Sequence, residues 1–246
     1  MLFDVKGEFH NGERIYFINH QEFYHNIKNS KNMMRQFLYK LMLAFDLLQS
    51  QGIVHADIKS DNILVSSKDD EIISVKLIDF GSAFVFDNTS IISMSTPEYL
   101  APEILDYLEN KGKSKYSNGA SEVFKNMHVW SYDMWSIGAL LLEIISGFPL
   151  WLSLKGRMKS KRGKNIFGQG IFGVTGRDCK KIYQIQKKIL NKGLYNVLKK
   201  FDSNGYENDI EFMDLLSNLL NFCPLKRLSP KEVISHPFIT NHLDLK

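Results

Sequence analysis

From Ser30 to Gln51 the apolar positions Met33, Met34, Phe37, Leu38, Leu41, Met42, Phe45 and Leu48 recur every three or four residues. That is the spacing of one buried helix face, and Gly52 predicts where the helix stops. Ahead of it, residues 1–28 read as short strands and a turn: Asn11-Gly12 is a hairpin signal between the β-prone runs Leu2–Phe9 and Arg14–Ile18. Behind it, Ile63-Leu64-Val65 and Val75-Lys76-Leu77-Ile78 are two β-rich pieces joined through Asp69-Asp70, a strand pair with loops free for function at both ends. Beyond Pro102 the pattern turns helical, with a polar loop over 110–122 and a strongly apolar helix over 131–146. A basic, Gly-rich excursion over 155–178 follows, then helices near 179–192, 209–221 and 229–236. There are no repeats, and the pattern predicts one mainly helical domain with a small β element.

Composition adds little to that picture. With 44% hydrophobic and 24% charged residues, the chain has ample material for a core and is not disordered. A net charge of +4 over 246 residues does not by itself suggest a nucleic acid or a membrane as partner. The most apolar stretch, Ile137–Leu154, is interrupted by Glu143, Gly147 and Pro149 and suits a buried helix better than a membrane span. Cys179 and Cys223 lie far apart without metal-ligand spacing. Together with the absence of an apolar run in Met1–His10, they predict reduced thiols and an intracellular location, cytoplasmic or nuclear.

The chemistry concentrates in His55-Ala56-Asp57-Ile58-Lys59-Ser60-Asp61-Asn62. A carboxylate at Asp57 can orient a hydroxyl nucleophile and take its proton, Lys59 can reach a transferring phosphate, and Asn62 offers a side-chain oxygen to Mg²⁺. Seventeen residues after Asn62, Asp79-Phe80-Gly81 ends an apolar strand, a gap that suits two strands and a turn. Both metal-binding side chains would then emerge at one end of the sheet.

The first segment resembles the protein-kinase catalytic loop and the second the Asp-Phe-Gly element whose Asp binds Mg²⁺ on the nucleotide phosphates. Four more matches follow in family order. Thr96-Pro97-Glu98-Tyr99-Leu100-Ala101-Pro102-Glu103 resembles the end of a Ser/Thr-kinase activation segment, in which the Thr bonds to the catalytic Asp and Lys. Asp133-Met134-Trp135-Ser136-Ile137-Gly138 resembles the start of the central helix, whose Asp holds the catalytic loop. Arg227 matches the Arg that pairs with the Glu of Ala-Pro-Glu, here Glu103, and His236-Pro237-Phe238 resembles the closing helix. The resemblance covers roughly residues 30–240 and implies an α+β, protein-kinase-like fold, mostly the helical C-terminal lobe with a few N-terminal strands. Residues 1–28 would be a remnant of the small lobe and crossing segment, and 29–246 the large lobe.

The activity so implied is transfer of the ATP γ-phosphoryl group to Ser or Thr of a protein substrate, the acceptor class that Lys59 and Thr96 favour. Asp57, Lys59 and Thr96 would be catalytic; Lys59, Asn62, Leu64 and Asp79 would hold ATP, with Leu64 flooring the adenine; Asn62 and Asp79 would be the Mg²⁺ ligands. His55 reads as structural, packed beneath Phe80.

Several features depart from the family pattern. Ala56 replaces the Arg that pairs with a phosphorylated activation-loop residue, so activity is expected not to depend on that switch although Thr89, Ser90, Ser93 and Ser95 are at hand. No Gly-rich loop, strand Lys or helix Glu stands before His55; Lys6 lies on a β-prone run without a preceding Gly-x-Gly-x-x-Gly. This predicts a fragment lacking most of the small lobe, the alternative being a non-catalytic kinase-like module. Gly168-Gln169-Gly170-Ile171-Phe172-Gly173 has the phosphate-loop spelling but reads as a surface excursion, with no preceding strand. The basic run Lys155, Arg157, Lys159, Lys161, Arg162 and Lys164 is a possible dock for an acidic partner. The subfamily stays open. His-Ala-Asp-Ile-Lys and Asp-Phe-Gly-Ser-Ala resemble splicing-associated and dual-specificity tyrosine-regulated kinases, whereas Tyr99-Leu100 before Ala-Pro-Glu does not.

Overall fold

The central helix explains why the molecule packs as it does. In the computed structural model, which describes residues 3–11, 13–88, 92, 95–111, 119–148, 150–151, 157–160, 165–166, 179–201 and 204–242, every residue from Ser131 to Ile145 is buried. A helix apolar on all sides needs neighbours on all sides. Helices α1 (Glu22–Asn29), α2 (Lys31–Ser50), α3 (Pro102–Asn110) and α4 (Ser121–Phe124) precede this central helix α5 (Ser131–Ser146). After it come α6 (Cys179–Leu190), α7 (Leu194–Leu198), α8 (Ile210–Leu219), α9 (Pro230–Ile234) and α10 (Pro237–Thr240). Contacts to α5 come from α1, α7 and α8 and from the turn at Pro97–Tyr99. Gly138 lets α8 come close, since a Cβ there would lie 2.8 Å from Leu220. Gly147 caps α5 at φ +85, donating its N–H to the Glu143 carbonyl at 2.7 Å. Among the described residues no helix is long and apolar enough to cross a membrane.

Helix α2 buries Met33, Met34, Phe37, Leu38, Leu41, Met42 and Phe45, as its periodicity predicts, and Ser30 caps it by accepting from the Met33 N–H. Gly52 follows at φ +66. Arg35, buried on the same helix, donates to the Phe238 carbonyl at 2.8 Å and lies over the Phe238 ring, fastening α10.

The strands form three small sheets. β1 (Phe3–His10) and β2 (Glu13–His20) make the hairpin expected around Asn11, the second strand reaching past the run Arg14–Ile18 at both ends. Part of the stretch expected to hold short strands and a turn is helical instead: residues 22–29 are α1, whose Tyr24 and Ile27 face the core. β3 (Ile53–Val54) pairs with β6 (Phe84–Val85), and β4 (Ile63–Lys68) with β5 (Glu71–Leu77). The excursion after α5 contains two strands that the sequence reading lacked. β7 (Arg157–Ser160) runs parallel to β2, and β8 (Asn165–Ile166) pairs with β7, giving the order β1-β2-β7-β8. A strand therefore does precede the Gly168–Gly173 stretch, which itself lies outside the described residues. Of the basic run, Arg157 and Lys159 fall in β7, and Lys155, Lys161, Arg162 and Lys164 lie outside the described residues.

One ion pair ties the far ends of the helical part together. The Arg227 guanidinium, with no exposed side-chain surface, forms a fork with Glu103 (Nη1–Oε1 2.6 Å, Nη2–Oε2 2.7 Å). It also donates to the carbonyls of Asn221 and Ser131, each at 2.8 Å, and sits 5.0 Å from the Trp135 ring. These four bonds engage all three guanidinium nitrogens, which offsets the cost of burying the charge. Removing one partner strands the other, so Arg227→Ala should lower unfolding stability by about 3–5 kcal/mol in urea titrations; a loss below about 1 kcal/mol would show that the tie is dispensable.

Candidate active site

The site begins with a carboxylate from the central helix. Asp133, in the first turn of α5, accepts the His55 N–H at 2.8 Å and the Ala56 N–H at 2.9 Å. This pins the chain as it leaves β3, with Ala56 held at φ +65. The His55 ring is fully buried, 4.8 Å from Phe80, with Nε2 at 3.1 Å from the Ile78 carbonyl and Nδ1 facing the Asp57 N–H. Both ring nitrogens are occupied by backbone, which makes His55 a spacer and not a proton carrier.

Asp57 follows at the centre of a network. Its Oδ2 receives Lys59 Nζ at 2.7 Å and Asn62 Nδ2 at 3.0 Å, and its Oδ1 receives the Thr96 hydroxyl at 2.8 Å. Lys59 also donates to Thr96 Oγ1 at 3.0 Å. Burial alone would raise the Asp57 pKa, but the Lys59 and Thr96 hydrogen bonds, the Lys59 charge and Asn62 outweigh it and hold the carboxyl below its ordinary value. The group is therefore ionised at neutral pH. Asn62 spends its Nδ2 on the Asp57 carbonyl (2.8 Å) and carboxylate, which leaves its Oδ1 to act as a ligand.

The four predicted residues Asp57, Lys59, Asn62 and Thr96 thus meet in one cluster. Asp79 sits one residue beyond the backbone bond from the Ile78 N–H to the Asn62 carbonyl (3.0 Å). It is exposed, at φ +61, with its carboxylate accepting from the Gly81 N–H. Among the described residues no three His, Cys, Asp or Glu side chains gather to hold a metal alone. An amide oxygen and one exposed carboxylate instead suit Mg²⁺, which keeps waters and takes the rest of its shell from substrate phosphates. Leu64, 53% exposed, lines a cavity of about 220 Å³ together with Phe23, Ile27, Phe37, Leu140 and Ile144.

Two groups stand differently from what the sequence suggests. Ser95 is buried and donates to the Ala56 carbonyl at 2.7 Å, so it is not a freely available phosphorylation site. Thr89, Ser90 and Ser93 lie outside the described residues. Glu143 is completely buried in α5 and accepts from the Tyr99 hydroxyl. Its one sequence signal is a charge inside the apolar run Ile137–Leu154.

A family model described as a protein kinase domain matches residues 7–239. The chain belongs to the protein kinase family. Among curated relatives, the probable serine/threonine-protein kinase glkA of Dictyostelium discoideum is 31% identical over 213 residues, covering 85% of this chain and 39% of the relative. The mitogen-activated protein kinase HOG1 of Candida albicans is 28% identical over 239 residues, 94% of this chain and 58% of that protein. The dual specificity protein kinase YAK1 homolog of Arabidopsis thaliana is 28% identical, covering 86% of this chain and 26% of the relative. The kinase chain thus spans less than two thirds of the length of each of these relatives, and its likeness to serine/threonine-protein kinases covers 85% of its own length in the first of them.

Two buried carboxyls of this kinase are shifted upward. Burial takes Asp133 to about 6 against the opposing pull of the His55 and Ala56 N–H groups. Burial takes Glu143 from 4.5 to about 7; the Tyr99 and Ser60 hydroxyls pull it back, and Asp61 pushes it further up. The folded state then holds the Glu143 proton more tightly than the unfolded chain, so this group's contribution to stability falls as pH rises from about 4.5 to about 7. The slope should reach about 1.4 kcal/mol per pH unit, and Glu143→Gln should remove it. Urea unfolding of both proteins across this range checks the point: parallel curves for wild type and variant would contradict it.

Proposed function

We propose that this chain is the catalytic region of an ATP- and Mg²⁺-dependent protein serine/threonine kinase. In this proposal residues 1–28 contribute small-lobe strands and crossing segment, residues 29–246 form the large lobe, and most of the small lobe lies outside the 246 residues. The observation that carries the reading is the Asp57–Lys59–Thr96–Asn62 cluster, in which an ionised carboxylate is held by a cation, a hydroxyl and an amide. When bound, Mg²⁺ would neutralise charge on the transferring phosphates from Asn62 and Asp79. The acceptor hydroxyl oxygen bonds to the γ-phosphorus while the bond to the β–γ bridging oxygen breaks, its electron pair leaving with ADP. Asp57 orients that hydroxyl and takes its proton, and Lys59 faces the moving phosphoryl group. Leu64 contributes an apolar floor for the adenine.

Ala56 belongs to the same proposal. Its N–H is bound by Asp133 and its carbonyl by Ser95, so the loop is ordered without an Arg waiting for a phosphate. Activity that survives replacement of Thr89, Ser90 and Ser93 by Ala is the expected result. The basic run from Lys155 to Lys164 is proposed as a dock for an acidic partner, which neutralising its six cations would release. Intracellular residence, cytoplasmic or nuclear, is part of this reading.

The competing reading is a non-catalytic kinase-like module. Radiolabel transfer from ATP to a Ser/Thr peptide mixture separates the two. With Mg²⁺ present, the chain, or a version extended to include a small lobe, should transfer phosphate. Asp57→Asn should cut kcat by about 10²–10⁴ while ATP binding persists, and Asp79→Asn should abolish the Mg²⁺ dependence of ATP binding. An extended chain that binds ATP but transfers nothing would leave the module reading standing.

A further inference from the structure

Residues 179–201 contain seven lysines and not one aspartate or glutamate, in a chain whose total charge is only +4. Four of them, Lys180, Lys181, Lys187 and Lys188, lie on α6. At about 100° per residue they fall with Gln184 inside an arc of about 120°, and all five are exposed. The opposite side of α6 is apolar and packed: Cys179, Ile182 and Gln186 are buried, and Ile185 and Ile189 are partly so. Lys192, Lys199 and Lys200 continue the exposed basic surface towards α7. Among the described residues no carboxylate forms an ion pair with Lys180, Lys187, Lys188, Lys192, Lys199 or Lys200. A solvated helix face usually intersperses Glu with Lys at i, i+4, which relieves such crowding of like charge. Here nothing on the helix does.

We propose that the lysine face of α6 is a docking surface for an acidic segment of a protein substrate; the word substrate rests on the kinase reading above. Placement favours a protein. The buried side of α6 packs on α3 and on the turn at Pro97–Tyr99, and Gln186 donates to the Leu100 carbonyl at 2.9 Å. Leu100 is four residues from Thr96, which touches Asp57, so a chain gripped on α6 is held on the lobe that carries the acceptor site. A membrane fits poorly, because the apolar side of α6 is already spent on the core and leaves nothing to insert. A nucleic acid fits less well: residues 179–201 hold no arginine, the five exposed residues of the α6 arc include no ring, and the one exposed ring nearby, Tyr195, lies on α7 with Lys199 Nζ 5.7 Å from its centroid. The two lysine pairs are seven residues apart, about 10 Å along the helix, which is roughly three residues of extended chain. Acidic residues three or four positions apart are therefore the pattern that this face would select.

The test needs no catalysis. Anisotropy of a fluorescein-labelled Asp/Glu-rich peptide without Ser, Thr or Tyr is measured on the full chain, on K180Q/K181Q/K187Q/K188Q, and on K68Q/K76Q/K125Q/K231Q, which removes the same charge elsewhere. The α6 variant should bind at least about tenfold more weakly, and the control variant within about twofold of wild type. A drop of equal size in both variants would reduce the effect to net charge and overturn the proposal, as would unchanged binding by the α6 variant. Tighter α6-dependent binding of single-stranded DNA or phosphatidylserine vesicles than of the peptide would reassign the face and equally overturn it. Because ATP is absent, failure of phosphoryl transfer does not touch this result, and failure of docking does not touch the Asp57 experiment.

Discussion

Two N–H groups at the start of the loop from His55 to Asn62 converge on one carboxylate, and most of the candidate site depends on that meeting. Asp133 comes from the most deeply buried helix of the molecule, and His55 and Ala56 come from a loop that would otherwise have no fixed course. Ala56 adopts φ +65, a conformation that costs a non-glycine residue about 1–2 kcal/mol. Each hydrogen bond to an ionised acceptor returns about 1.5–3 kcal/mol, so two of them suffice to hold the strained turn. Burial makes the Asp133 carboxyl harder to ionise, yet the N–H pair needs its charge, and the balance leaves it ionised at neutral pH. The central helix thereby sets where Asp57 stands, and the Asp57 network sets the rest.

The neighbouring contacts propagate that placement. Thr96 reaches Asp57 and Lys59 from a turn that is anchored at three further points. Ser136 donates to the Tyr99 carbonyl at 2.8 Å, the Tyr99 hydroxyl meets Glu143, and Gln186 holds Leu100. Two of the three anchors, Ser136 and Glu143, again belong to α5. Glu103 and Arg227 then fix the start of α3 to the loop after α8. Segments far apart in the chain are thus referred to one rigid element, which is how a site assembled from loops can keep distances near 3 Å.

How much of this could be read beforehand depended on the range of the interaction. Asp57, Lys59 and Asn62 lie within six residues, so their joint chemistry was visible in the local spelling. The helix over 31–50 was equally plain, because a buried face repeats every three to four residues whatever it packs against. Helix α1 was missed because eight residues of Glu-Phe-Tyr-His-Asn-Ile-Lys-Asn hold too few apolar positions to show a period. Strand β7 was missed for a different reason. Arg-Met-Lys-Ser has little β character, and it becomes a strand by pairing with β2, about 140 residues earlier. Glu143 and Ser95 matter only through partners that the fold brings to them, Tyr99 and Ala56, and no local pattern announces such pairings.

Ala56 shows how the same reasoning changes an interpretation. By family resemblance its position would carry an arginine, a buried cation that needs a negative partner and makes order conditional on one. Here the side chain is a methyl group, and the constraint passes to the backbone: N–H to Asp133, carbonyl to Ser95. Both bonds are internal to the fold and involve no group added from outside. Arginine's dependence on a phosphate is an electrostatic debt created by burying its charge; with no charge there, none is incurred. The turn at Ala56 is thus held on both sides by contacts within the fold, one from the central helix and one from Ser95, and needs no side-chain charge at that position.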